Sequence, residues 1–106
     1  MKGHELAVLL GAKVYCEGAQ KEIKNYYIGD LLSFVMGRAP AECCWLTVMN
    51  NVNVVAVASL IECSCVVLCD STVPDEIFLG KARDNGLCVL GVDIPLFQTA
   101  EKIIKK

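Results

Sequence analysis

WLTVMNNVNVVAVASLIECSCVVLCD, Trp45 to Asp70, holds two apolar runs of strand length on either side of a third that opens on asparagines. Neither outer run alternates polar with apolar residues. Both faces of each are therefore expected to be covered, as in a parallel sheet and unlike an antiparallel sheet with one wet face. The middle run is ambiguous by propensity, because its valines favour a strand while Ala56, Ala58 and Leu60 favour a helix. A hairpin through Asn50-Asn51 would satisfy the turn signal. Connectivity favours a helix from Val54 to Ile61, since a parallel partner at Cys65 to Cys69 needs a crossover of about that length. Asn53 is then the expected N-cap.

Working outward, Cys44 to Met49 is the strand that enters this unit, preceded by a loop around Pro40. Upstream, Asp30 is expected to cap a helix whose apolar face is Leu31, Leu32, Val35 and Met36 and which Gly37 ends. Ile23 to Ile28 and Val14 to Cys16 read as strands, joined by a turn at residues 17–20 that suits a hairpin or a bend. Leu6, Leu9 and Leu10 mark a first helix from Glu5, stopped by Gly11. Downstream, Pro74 is expected near the first position of a helix with Asp75 and Glu76 at its positive end, closed by Asn85-Gly86. Leu87 to Val92 is the last strand. Asp93 is expected to cap a final helix with Leu96, Ala100 and Ile103 on one face. Strands alternating with crossover helices predict a single α/β domain over residues 1–106, a three-layer α/β/α sandwich on a mainly parallel sheet of about five strands.

Composition narrows the function. The chain of 106 residues is 55% hydrophobic and 21% charged, rich in apolar residues for a domain of its length, which points to a homodimer. Ten basic against twelve acidic residues, net −2 and without one-sign blocks, lack the footprint of a nucleic-acid binder. The apolar run Val54 to Ile61 falls far short of the roughly 20 residues that span a membrane. The N-terminus lacks the features of an export signal, so the expected setting is cytoplasmic and the seven cysteines are expected to be free.

Tyr26-Tyr27-Ile28-Gly29-Asp30-Leu31-Leu32-Ser33-Phe34-Val35-Met36-Gly37-Arg38, with Asn51 to Ala58, Pro74-Asp75-Glu76 and Asp93-Ile94-Pro95, resembles the stand-alone DRTGG-domain proteins over nearly the whole chain. The resemblance implies the fold of the HPr kinase N-terminal domain, a unit also similar to regulatory inserts of CBS-containing pyrophosphatases and phosphotransacetylase-like proteins. It implies a sensing or dimerising part, not a catalyst, and a hydrogenase subunit or a histidine kinase as partner. The string D-R-T-G-G is itself absent. No role specific to that motif transfers to a residue here.

In an open parallel sheet, ligands bind outside the carboxyl ends of the strands. Gly29, Asp30, Asn50, Asn51, Asn53, Asp70 and Asp93 each follow a strand and precede a helix, which places them on one rim. Helix capping alone would explain each of these polar side chains. Together they suit a small anionic or nucleotide-like ligand, with free helix amides for phosphate and aspartates for a ribose, an amine or a bridging divalent cation. No nucleotide-binding glycine motif occurs, and no catalytic residue or metal site is assigned. Cys63, Cys65 and Cys69, with Cys43-Cys44, have poor zinc-ligand spacing, and Cys43 and Cys44 are expected on opposite faces of a strand. His4 is expected in a solvated N-terminal turn. The sequence thus reads as a non-enzymatic regulatory or small-ligand-binding domain. The alternative is a redox-associated accessory protein using free thiols or a metal.

Overall fold

A computed structural model describes every residue, Met1–Lys106. The elements run α1 (Gly3–Leu10), β1 (Lys13–Cys16), β2 (Asn25–Ile28), α2 (Leu32–Arg38), β3 (Cys43–Thr47), α3 (Asn53–Leu60), β4 (Cys65–Leu68), α4 (Glu76–Asp84), β5 (Val89–Gly91) and α5 (Leu96–Ile104). One five-stranded sheet has the order β1-β5-β4-β3-β2, parallel throughout except for β1, which runs antiparallel to β5. The expected three-layer sandwich is the observed one.

Alternation along the central strands splits the core into two halves. Cys43, Trp45, Val66 and Leu68 pack on one face with Val35 of α2, Val54 and Val55 of α3 and Phe78 of α4. Cys44, Leu46, Cys65 and Val67 pack on the other with Leu6 and Leu10 of α1 and Ile103 of α5. Cys43 and Cys44 do face opposite ways. Every residue of β3 and β4 is buried, as strands covered on both sides must be.

The ambiguous middle run is helix α3. Val54, Val55, Val57 and Ala58 are buried in it, so packing against the sheet overrides the strand propensity of the valines. Gly11 closes α1 in the left-handed region at φ 62°, which costs a glycine little. Other boundaries differ from expectation. Gly37 lies inside α2, which ends after Arg38 because Ala39 precedes Pro40 and sits in the extended region (ψ 129°). Of the expected apolar face of α2, only Val35 is fully buried, and Leu31 and Met36 are exposed. Helix α4 does start as expected, with Pro74 just before it, Asp75 as N-cap accepting from the Phe78 amide and Glu76 in the first turn.

Residues 17–24 form neither a hairpin nor a simple bend, since β1 and β2 lie at opposite edges of the sheet. The segment crosses beneath the amino ends of the central strands and is stitched to them in passing. The Ala19 amide donates to Gly86 O at 2.8 Å, Ser64 Oγ to Glu22 O at 2.7 Å, and the Lys24 amide to Glu42 O at 2.9 Å. No helix is long and apolar enough to cross a membrane.

Candidate functional site

The carboxyl ends of β2 to β5 carry the residues marked in the sequence, but three expected caps do other work. Asp30 does not cap α2, whose N-cap position is Leu31 without a side-chain bond. Its Oδ1 instead accepts from Thr47 Oγ1 at 2.7 Å and from the Val48 amide at 3.0 Å, tying the loop after β2 to the end of β3. Asn53 is the first residue of α3, and its amide donates to Asn51 Oδ1 at 2.8 Å. Asn51 is therefore the residue that starts this helix, through an Asx turn. Asp93 lies too far before α5 to cap it, the N-cap position being Pro95. Its Oδ1 accepts from Ser71 Oγ at 3.0 Å.

The remaining rim residues are also placed by specific bonds. Asn50 Nδ2 donates to Val73 O at 2.9 Å, linking the loops that leave β3 and β4. Gly29 O accepts the indole Nε1–H of fully buried Trp45 at 2.8 Å. Asp70 and Ser71 both take positive φ, 62° and 60°, so the chain doubles back after β4. The amides of Asp70 and Ser71 donate to Ile94 O and Val92 O, at 2.9 and 3.0 Å, which locks that reversal onto the end of β5.

Beside this reversal lies a cleft of about 280 Å³, lined chiefly by Lys13, Tyr15, Ser71, Thr72, Gly91 and Asp93. Its far wall comes from β1. Because β1 is antiparallel to β5, Lys13 pairs with Gly91 and the start of β1 reaches the carboxyl rim. A Cβ at Gly91 would collide with the Tyr15 ring, so only glycine lets the ring lie against the strand. The Lys13 ammonium sits 5.0 Å from the centroid of that ring, a cation–π placement that holds it beside the cleft. The structure thus brings Asp93 into a cleft with Ser71 and Thr72, the neighbours of Asp70. It leaves Gly29, Asp30, Asn50, Asn51, Asn53 and Asp70 outside the lining. Sequence reasoning missed Lys13 and Tyr15, and an antiparallel assignment for β1 would have found them.

The thiols behave as packing groups. All seven cysteines are free and buried. In-register pairing sets Cys44 beside Cys65, and Cys88, just before β5, continues the row. A side-chain hydrogen bond to Cys44, together with burial, pushes the Cys65 thiol well up. The Cys88 thiol is raised likewise by its bond to Cys65 and by burial. Neutral thiols are poor nucleophiles and poor metal ligands. His4, expected in a solvated turn, belongs to α1, and its Nδ1 lies 2.8 Å from Gln20 Oε1.

No family model and no curated protein matches this sequence. Among solved structures, the chain is similar to the CBS and DRTGG domains of the regulatory region of Clostridium perfringens pyrophosphatase, determined in complex with its activator diadenosine tetraphosphate. The TM-score is 0.76 at 10% sequence identity, over 95% of this chain and 45% of that one. The two share a fold. The likeness supports the α/β architecture read from Trp45 to Asp70, and the chain spans less than half of the regulatory region it matches.

Proposed function

We propose that this chain is a non-enzymatic regulatory domain that binds a small anionic or nucleotide-like ligand at the carboxyl rim of its sheet, in the cleft between Lys13 and Asp93. One observation carries the reading: a cation, an aromatic ring, two hydroxyls and a carboxylate line one cleft at the strand ends, where open α/β sheets take their ligands. In this reading Lys13 meets a phosphate or carboxylate, and Asp93 meets a ribose hydroxyl or an amine. The fold shared with a regulatory region that was solved with a nucleotide activator supports the same class of role.

The thiol alternative is the second reading: all seven cysteines are buried, and burial with side-chain hydrogen bonding raises Cys65 and Cys88, whereas Cys43 alone is lowered, by its bond with Cys63. A cytoplasmic setting, a homodimeric state and a hydrogenase subunit or histidine kinase as partner complete the proposal, the last resting on sequence resemblance alone. A thermal-shift series with AMP, ATP, diadenosine tetraphosphate, acetyl phosphate and magnesium tests the binding reading. At least one should raise the melting temperature of the wild type in proportion to ln(1 + [L]/Kd), and Lys13→Ala should lose that rise. A flat response to all five, or a rise that Lys13→Ala keeps in full, contradicts it.

A further inference from the structure

Alternation along β4 puts Val66 and Leu68 on the Trp45 face of the sheet and Cys65 and Val67 on the other. Continued backward, it would send Cys63 to the face of Cys65. Cys63 instead packs on the Trp45 face with Cys43, where the chain arrives through Glu62 in the left-handed region at φ 56°. Its Sγ–H reaches Cys43 O at 3.2 Å and Cys65 O at 3.1 Å. The backbone fixes the same neighbourhood, since the Glu42 amide donates to Glu62 O at 3.0 Å and the Ser64 amide to Cys43 O at 2.8 Å. Register sets Cys44 beside Cys65, so Cys43 and Cys63 stand at adjacent strand starts one residue out of step. Strands about 4.8 Å apart with a rise of about 3.3 Å per residue put such Cα atoms roughly 5.8 Å apart, inside the range a disulfide needs. Cys63 also lines a cavity of about 240 Å³ at the amino rim, with Lys21, Ser59, Glu62 and Asn85.

We propose that Cys43 and Cys63 are a redox modification site, joined in a reversible disulfide by a hydroperoxide that enters this cavity. The bond between the two thiols lowers Cys43 and raises Cys63, which divides the roles. Cys43, as thiolate, attacks one oxygen of hydrogen peroxide. An S–O bond forms, the O–O bond breaks, and the departing hydroxide takes the Cys63 proton and leaves as water. The Cys63 thiolate then attacks the Cys43 sulfenic sulfur, so that the S–S bond forms, the S–O bond breaks and hydroxide is released. The two sulfurs lose two electrons and the peroxide gains them. A thiol reductant restores the pair. The row Cys44, Cys65 and Cys88 is raised throughout and supplies no such nucleophile. The inference goes beyond the ligand reading and does not depend on it, because the pair sits at the rim opposite the ligand cleft.

Hydrogen peroxide in slight molar excess over the reduced full chain, followed by alkylation in denaturant and cleavage after Glu42 and Glu62, tests it by mass spectrometry. The peptides beginning at Cys43 and at Cys63 should stay joined until dithiothreitol parts them, and their fragment masses should place the bond at those two residues. The free thiols should fall from seven by the two that join. Cys44→Ala should cross-link as the wild type does, and Cys63→Ala should not. Circular dichroism confirms folding, and if Cys63→Ala misfolds, the bond position in the wild type decides. Seven thiols retained, a bond through Cys44, Cys65 or Cys88, bonds between chains only, or thiols oxidised without a cross-link would each overturn the pair, whatever the nucleotide series shows.

Discussion

Thr47 Oγ1 donates to Asp30 Oδ1 at 2.7 Å, and Thr47 is fully buried at the end of β3. The bond makes Asp30 a clamp between neighbouring strands instead of the helix cap its position suggested. Asp30→Ala leaves the Thr47 hydroxyl and the Val48 amide without their acceptor, a loss of about 1 to 3 kcal/mol. Asp30→Asn keeps the accepting oxygen and should lose less than half as much. Urea unfolding of the two variants reads the difference, and equal losses would return Asp30 to a charge-dependent role.

Trp45 is anchored in the same way from the core side. Its indole N–H reaches Gly29 O at 2.8 Å, while the ring lies fully buried beneath α2 and α3. Trp45→Phe both shrinks the ring and strands a carbonyl, so a loss of about 2 to 4 kcal/mol is expected. Intrinsic fluorescence offers a parallel check, since Trp45 is the single tryptophan and should emit as a buried, hydrogen-bonded indole. Emission typical of exposed tryptophan would contradict the burial.

The protonated thiols make stability depend on alkaline pH. Cys43 and Cys63 shift in opposite directions through their shared bond, down and up, so the net effect comes from Cys65 and Cys88, both raised by side-chain hydrogen bonding and burial. Below about pH 8.5 these thiols are neutral in both folded and unfolded chains, so their contribution is fully present. Above it the unfolded chain releases protons that the folded chain retains, and stability falls by up to about 1.4 kcal/mol per pH unit for each such thiol. Urea midpoints measured under reducing conditions should decline from pH 8 to pH 10, and less steeply in Cys65→Ala. A flat profile would show that the thiols ionise as readily inside as outside.

Much of this architecture was legible in the sequence because burial on both faces leaves a clear mark. Trp45 to Thr47 and Cys65 to Leu68 carry no alternation, and both proved to be central parallel strands. Crossover length decided the helix at α3 where propensity could not. The site was harder to read for two physical reasons. Asp30, Asn53 and Asp93 stand where capping residues stand, yet the bonds of Asp30 and Asp93 run to Thr47 and Ser71 across loops, and only tertiary structure brings those partners near. Lys13 and Tyr15 went unnoticed because the direction of an edge strand follows from a chain crossing under the sheet. That path is held by Ala19, Glu22 and Lys24, whose partners lie 18 to 67 residues away in the chain.

The rim carboxylates separate scaffold from ligand contact. Asp70→Asn retains a residue type that accepts the left-handed φ of 62°, and Asp93→Asn retains an acceptor for Ser71 Oγ. Both should fold with stability within about 0.5 kcal/mol of the wild type. Asp93→Asn should nonetheless reduce the thermal shift produced by whichever nucleotide stabilises the wild type. An undiminished shift would remove Asp93 from the contact surface.

The most direct measurement is an amide chemical-shift titration of the ¹⁵N-labelled wild-type protein with the nucleotide that gives the largest thermal shift. Binding in the cleft predicts that the perturbed amides cluster at Lys13, Tyr15, Ser71, Thr72 and Asp93, saturate together, and lose their response in Lys13→Ala. Perturbations centred elsewhere on the surface, or none up to millimolar nucleotide, would contradict a ligand site at the carboxyl rim.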